Sequence, residues 1–375
     1  MIVAGAAVAL IAGSITAFAL WSSRQAPRVA LHPFATSSPT PSASSDLGNP
    51  FGVIPSSPSA SPTAPETSIS PTATANADNG PPLPASSTPS PNQAMIGADV
   101  DGRPILASVE SWPGRGTTAM TTTWKWDGAR WKAIRSDLPV DIGSALVYES
   151  HLRKVVQLSG GITGIPYGMW GWDSVGWARV QVAVPPPGKE MALLSWDPPR
   201  HQLVALIPET YETSSTWTFD GVTWTRAATA VNPPARRLAG MAYDNNTSSV
   251  VLYGGDHIVG GSGPQLNDTW TWDGTTWTEK HPATTPGGCA AQLAYDAATS
   301  QIMLLCQGPS TGVTMWSWTG TTWTQLHPNV VPPESYTLYM TYDAVRGELV
   351  YFGQPKGGPS SQTWTYANGQ WQRDT

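Results

Sequence analysis

The nine residues Thr269–Trp277, TWTWDGTTW, decide how the chain is read. Trp270 and Trp272 fall on one face of an extended strand, because side chains in a strand alternate with a period of two. Asp273-Gly274 then supplies a turn, glycine accepting the positive φ that a type I′ hairpin demands. With those two as the turn residues, Trp270 and Trp277 are expected to face each other across the hairpin.

The phrase recurs as TWKWDGARW at 123–131, MWGWDSVGW at 169–177, TWTFDGVTW at 216–224, MWSWTGTTW at 315–323 and TWTYANGQW at 363–371. Its first tryptophans, Trp124, Trp170, Trp217, Trp270, Trp316 and Trp364, are separated by 46, 47, 53, 46 and 48 residues. In the last copy Asn368-Gly369 comes one residue later than the Asp-Gly of the others, so a longer or bulged turn is expected there. A second hairpin precedes each phrase, seen in GMAYDNNTSSVVLYGGD (240–256), AQLAYDAATSQIMLLCQG (291–308) and YMTYDAVRGELVYFGQ (339–354). Weaker copies are ALVYESHLRKVVQLSGG, LLSWDPPRHQLVALIPE and, most eroded, MIGADVDGRPILASVE. Each unit therefore holds four short antiparallel strands, here called a, b, c and d. Four-stranded units at a period of about 40–50 residues predict a β-propeller, and six copies predict six blades over residues 94–375.

These residues resemble the kelch-repeat propellers, the superfamily that includes the galactose-oxidase-like central domain. The apolar run ending in a double glycine carries the resemblance (Gly254-Gly255 and Gly160-Gly161), together with the aromatic strand and the closing tryptophan. In many members of that superfamily a strand from one terminus completes the blade of the other. Here the order begins with strands a and b near Met95 and ends with strand d at Trp371, so the ring is expected to close by blade packing alone.

Upstream of the repeats the composition changes. Met1 to Trp21 carries no charged side chain, so residues 1–22 read as a transmembrane helix or uncleaved signal anchor. Ala17-Phe18-Ala19 leaves a cleaved signal peptide as the alternative. Residues 23–93 are rich in Ser, Thr, Pro and Ala and read as a disordered linker, a semi-rigid stalk. Arg24 and Arg28 behind the span would by themselves keep the chain in the cytoplasm. The stalk and the cysteine usage argue for a single-pass cell-membrane protein with an extracytoplasmic, monomeric propeller. Cys289 and Cys306 fall on strands a and b of the fifth repeat, close to opposite each other. They read either as a cross-hairpin disulfide or as two buried thiols.

Only 12% of the 375 residues are charged, against about 25% in ordinary domains, and the formal net charge is -6. That leaves no positive footprint for nucleic acid. The 19 tryptophans mostly occupy equivalent strand positions in every repeat, which predicts packing between blades in place of an aromatic binding surface. Asp127, Asp173, Asp220 and Asp273 share one turn position and read as turn formers. His151 and His201 fall in tight turns, and His281 and His327 recur in one repeat context, so none reads as a metal ligand.

Binding candidates lie in the longer b–c and d–a loops of the opposite face. The 53-residue interval contains GGDHIVGGSGPQLND, which contributes Asp256, His257, Gln265 and Asn267. Trp112, Tyr167 and Tyr211 in other b–c loops, and Arg236-Arg237 just before a strand, complete the set. No catalytic, metal or cofactor motif is present in the sequence. A copper oxidase of the galactose-oxidase kind would need a Tyr joined to a Cys, two His and a further Tyr, and both cysteines sit in one hairpin. The expected function is therefore recognition of a protein or glycan at the loop face. A hydrolase, lyase or oxidase at the channel mouth, and a sensor coupled to a cytoplasmic segment upstream of Met1, are the alternatives.

Overall fold

The computed structural model describes residues 88–90, 94–110, 120–138, 145–159, 167–187, 192–257 and 264–374. The anchor expected at 1–22 and nearly all of the linker expected at 23–93 lie outside them. Among the described residues no helix is long and apolar enough to cross a membrane.

Six four-stranded antiparallel sheets follow one another along the chain, each with its strands in sequence order a-b-c-d. They form blades 1 to 6 within residues 94–138, 147–179, 193–226, 240–280, 290–326 and 339–373. The strands a lie side by side around a central channel of about 660 Å³. Blade 6 closes on blade 1 by packing: the Ala94 amide donates to the Tyr339 hydroxyl at 3.2 Å. The Ala344 amide donates to the Gly102 carbonyl at 2.8 Å, and Trp131 packs edge-on against Phe352 at 6.0 Å.

The core is divided among the six joints between neighbouring blades, each with its own apolar cluster. Strand b carries the apolar run that both neighbours need, as in Ser249–Tyr253, buried at all five positions. A sheet buried on both faces reads as a continuous apolar strand and not as an alternating one.

The repeated hairpin has a register different from the one the Asp-Gly reading implies. Trp272 pairs with Trp277, and Trp270 lies opposite Glu279. All six blades share this register, pairing Trp126 with Trp131, Trp172 with Trp177, Phe219 with Trp224, Trp318 with Trp323 and Tyr366 with Trp371. The turn is therefore wider than two residues. The Asp273 amide donates to the Thr276 carbonyl at 3.2 Å, but the amides of Thr275 and Thr276 both donate to Asp273 Oδ1, at 2.8 Å each. The aspartate side chain takes the bond that a backbone carbonyl accepts in a tight turn. Asp127, Asp173 and Asp220 do the same. Blade 6 has Ala367 there instead of an acid, and it closes the tight two-residue turn, with Asn368 at φ 51° and Gly369 at φ 79°.

Five of the six strand-d tryptophans also hydrogen-bond across a blade joint. Trp131, Trp177, Trp277 and Trp323 donate their indole N–H to Thr363, Thr123, Thr216 and Thr269, at 2.8–3.0 Å. The acceptor is in every case the residue that opens the phrase in the preceding blade. Blades 2 and 5 open with Met169 and Met315; Trp371 reaches the Met315 sulfur at 3.2 Å, and the buried Trp224 N–H has no partner.

Candidate functional site

The two faces of the disc differ in kind. On the face of the a–b and c–d turns, one acid per blade, Asp99, Glu149, Asp197, Asp244, Asp296 and Asp343, is buried at the end of strand a. These carboxylates bind their own turns: the amides of Asp101 and Arg103 donate to Asp99 Oδ1 at 3.0 Å, and those of Val345 and Arg346 to Asp343 Oδ1 at 3.0 and 3.2 Å. The c–d turns lie over the a–b turns of the preceding blade. Arg346 donates to the Asp127 carbonyl, and Arg200 occupies the space a Cβ on Gly274 would take. His151 and His201 meet here at 5.7 Å between ring centres, His151 also lying 2.9 Å from the buried Glu149. This face is sutured by its own polar groups.

On the loop face, the d–a and b–c loops of blade 4 form a small ribbon. Arg236-Arg237 pairs with Asp256-His257, and Asp256 bridges to Gln265. Because opposed residues of antiparallel strands share a face, Arg237, Asp256 and Gln265 stand in a row on one side. Arg236 and His257 are on the other.

The two arginines consequently differ. Arg236 has no exposed side-chain surface and clasps Asp268 through two bonds of 2.7 Å, while also donating to the carbonyls of Gly254 and Pro234 at 3.1 Å. Burial pushes the Asp268 carboxyl up, but the Arg236 guanidinium outweighs it and holds the group below the usual carboxylate range. Arg236 is a brace for the ribbon. Arg237 lines the channel mouth, with Nε 3.9 Å from Asp256 Oδ2.

Beside this row lies a second cavity of about 230 Å³ at the loop ends of blades 5 and 6. Gln265 enters it from blade 4, Gln292 and Gln307 from blade 5, and Tyr336 and Lys356 from blade 6. The Gln307 amide is fixed by the backbone of Ser335, donating to its carbonyl and accepting from its amide, both at 2.8 Å. Tyr336 remains 68% exposed. Leu238, at φ 56° and half exposed, separates the cavity from the channel mouth. An exposed leucine in the left-handed region marks local strain where the two cavities meet.

The floor is tied down by Cys289 and Cys306, which form a disulfide with a Cα–Cα distance of 5.4 Å. The Cys289 carbonyl accepts the Gly255 amide at 2.8 Å, and its amide donates to the Leu266 carbonyl at 3.4 Å. The bridge thus holds blade 5 against both ends of the blade 4 loop.

Of the candidates named from sequence, Arg237, Asp256 and Gln265 converge. His257 is on the far side of the ribbon, and Asn267 is exposed two residues beyond Gln265. Tyr211 is exposed on the b–c loop of blade 3. Tyr167 packs into the joint of blades 2 and 3, where burial pushes its hydroxyl up to about 12. Trp112 lies outside the described residues. Gln292, Gln307, Tyr336 and Lys356 are not singled out by the sequence; in the structure the segment of Tyr336 pairs with Gln354–Lys356 and so brings them to one rim. Among the described residues, no three of His, Cys, Asp and Glu are grouped so as to hold a metal ion.

No family model and no curated protein matches the chain. Solved structures do match in fold. A protein of unknown function from Dyadobacter fermentans aligns at TM-score 0.51 with 11% identity, over 75% of this chain and 95% of its own. SapL1 lectin in complex with α-methyl fucoside aligns at 0.51 with 12% identity, over 76% and 96%. A mutant of Aleuria aurantia lectin in complex with Fucα1-6GlcNAc aligns at 0.50 with 13% identity, over 76% and 97%. At these identities the likeness establishes the architecture: the chain carries a six-bladed β-propeller.

Proposed function

We propose that this propeller is a glycan-binding module, with its ligand seated on the loop-face rim between the blade 4 ribbon and blade 6. The observation that carries the reading is the 230 Å³ cavity, lined by three glutamines, hydroxyl groups and the exposed ring of Tyr336. Sugars are bound by planar polar side chains that meet their hydroxyls and by an aromatic ring that meets their C–H face. Two of the propellers similar in fold were solved with fucosides bound, which supports a ring of this build seating a sugar.

In this reading the apolar segment at 1–22 anchors the protein and the linker holds the ring clear of the membrane, outside the cytoplasm. Kinship with the kelch superfamily belongs to the same reading, supported by Gly254 and Gly255 at φ 66° and 93° where strand b leaves the blade. A glycan-array screen of the full chain tests the function. Retention of defined glycans, lost in Tyr336→Ala at unchanged thermal stability, is the expected result. Retention of none would overturn the reading.

A further inference from the structure

On the turn face, the blade joints are fastened differently where neighbouring a–b turns meet. At three of them a hydrogen bond reaches the carbonyl of the left-handed residue in the next turn. Arg200 of blade 3 donates to Ser248 at 3.4 Å, Asn246 of blade 4 donates to Ser300, and the Ala344 amide of blade 6 donates to Gly102 at 2.8 Å. Ser248, Ser300 and Gly102 hold φ of 50°, 56° and 74°. The equivalent residue at the joint of blades 2 and 3 is His201, at φ 49°. What meets it there is a second imidazole, His151, with ring centres 5.7 Å apart. This is also the joint whose strand-d indole, Trp224, has no acceptor.

The His151 ring is set as a metal-binding imidazole is. Its Nδ1 lies 2.9 Å from Glu149 Oε1, and a carboxylate can only accept, so Nδ1 carries the proton and the neutral ring keeps a free lone pair on Nε2. Metal-bound histidines ordinarily donate their second ring N–H to a carboxylate in this way, which fixes the tautomer and makes the ligand more basic. Glu149 has no exposed side-chain surface and is itself pinned by the amides of His151 and Leu152, at 3.1 and 2.6 Å. The ring is packed on two further sides, edge-on against Trp196 at 6.1 Å and beside Gly221, where a Cβ would come within 2.7 Å of His151 Cβ. His151 nevertheless keeps 44% of its side-chain surface open and His201 is exposed, so an ion and its waters can reach both.

Two imidazoles bound to one ion at about 2.0–2.1 Å have ring centres roughly 5–6 Å apart at a tetrahedral or wider angle. The 5.7 Å between His151 and His201, with ring planes 58° apart, meets that requirement. We infer that His151 and His201 bind one late first-row divalent ion, Zn²⁺, Ni²⁺ or Cu²⁺, which clips blade 2 to blade 3 at the joint without an indole bond. Imidazole suits these ions, whereas Ca²⁺ and Mg²⁺ take oxygen ligands. Among the described residues no third histidine, cysteine or acid completes the set, so water does. Two protein ligands make the site exchangeable, unlike a closed structural centre of four.

Calorimetric titration of the untagged full chain with ZnCl₂, NiCl₂ and CuCl₂, beside melting curves at about 100 µM of each ion, tests the inference. One ion per chain bound at micromolar strength, a melting temperature raised by about 2–4 °C, and no response to CaCl₂ or MgCl₂ are expected. The electron paramagnetic resonance spectrum of the Cu²⁺ form is expected to show two imidazole nitrogens on the ion. His201→Asn keeps a residue that tolerates the left-handed turn, and His151→Gln keeps an amide able to donate to Glu149. Each is expected to weaken binding at least tenfold, to leave one nitrogen in the spectrum, and to melt like the wild type without metal. The double variant His281→Asn/His327→Asn, at two exposed histidines outside the pair, is expected to bind at wild-type strength. No bound ion, undiminished binding in His201→Asn, or loss of binding in the His281/His327 variant would leave the pair a ring contact only and overturn the site. An ion bound by the pair without a rise in melting temperature would overturn the clip and leave the site standing.

Discussion

At the scale of single residues, the repeated phrase does two jobs that its spelling conceals. The second tryptophan stacks on the aromatic two residues after the first, with ring centres 5.0–5.9 Å apart in all six blades. In five of the six it also hydrogen-bonds the residue that opens the phrase in the preceding blade. Thr269→Val keeps the shape but leaves the buried Trp323 N–H without its acceptor, and is expected to cost about 1–3 kcal/mol in a denaturant titration. Met169→Thr would offer the unpartnered Trp224 N–H an acceptor but empties a fully buried core site, and the cavity outweighs one hydrogen bond, so a net loss of about 1 kcal/mol or more is expected by the same measurement. Asp374 gives a pH signature. Burial pushes its carboxyl up to about 6, the Thr365 hydroxyl opposing this only in part. A folded-state pKa above the unfolded value of about 3.9 means that its contribution to stability is complete below that value and is lost as pH rises through about 6. Asp374→Asn is therefore expected to be more stable than the wild type at pH 8, with the advantage gone at pH 4. Equal unfolding midpoints at pH 8 would contradict that assignment.

At the scale of elements, the repeat spells out its strands but not their register. Strand existence was legible because aromatic residues alternate and turn residues punctuate them at fixed offsets. Hairpin register was not, because the text does not say whether an aspartate's side chain or its backbone closes the turn. An acid is not required for the wide turn, since blade 5 keeps it with Thr319, and the tight turn after Ala367 goes with a glycine one position later, Gly369. The six buried acids at the ends of strands a were equally hidden, since an acid before a turn, four of them in a YD or WD pair, reads as an ordinary surface turn. In the candidate site, the 53-residue interval flagged Asp256 and Gln265 because an insertion breaks the period. Tyr336, Gln307 and Lys356 keep to the repeat length, and only the curvature of the ring brings them to the same rim. Arg236 and Arg237 are adjacent in sequence but separated by strand alternation into a brace and a rim residue. Arg236→Ala leaves Asp268 buried without its partner and is expected to cost about 3–5 kcal/mol. Arg237→Ala, at a partly buried pair held only at 3.9 Å, is expected to cost less, about 1 kcal/mol. Equal losses in thermal or chemical unfolding would show that the two do not divide these roles.

At the scale of the whole molecule, the division of labour between faces explains the low charge and the many tryptophans. Six joints consume the aromatic residues, the turn face consumes its own acids, and the loop face around blades 4 to 6 keeps polar groups whose bonding is incomplete. Blades 1 and 6 meet without an exchanged strand, through an apolar cluster that includes Tyr339, Phe352 and Trp131 and through a few hydrogen bonds, so the ring closes by a joint made of packing. The central claim is that this rim holds a glycan. Calorimetric titration of the full chain with its best array ligand, beside Tyr336→Ala and Tyr211→Ala, tests it most directly. The account predicts saturable binding that Tyr336→Ala weakens at least tenfold and Tyr211→Ala, on the distant blade 3 loop, leaves unchanged. Binding unaffected by Tyr336→Ala, or lost only in Tyr211→Ala, would place the ligand elsewhere and contradict it.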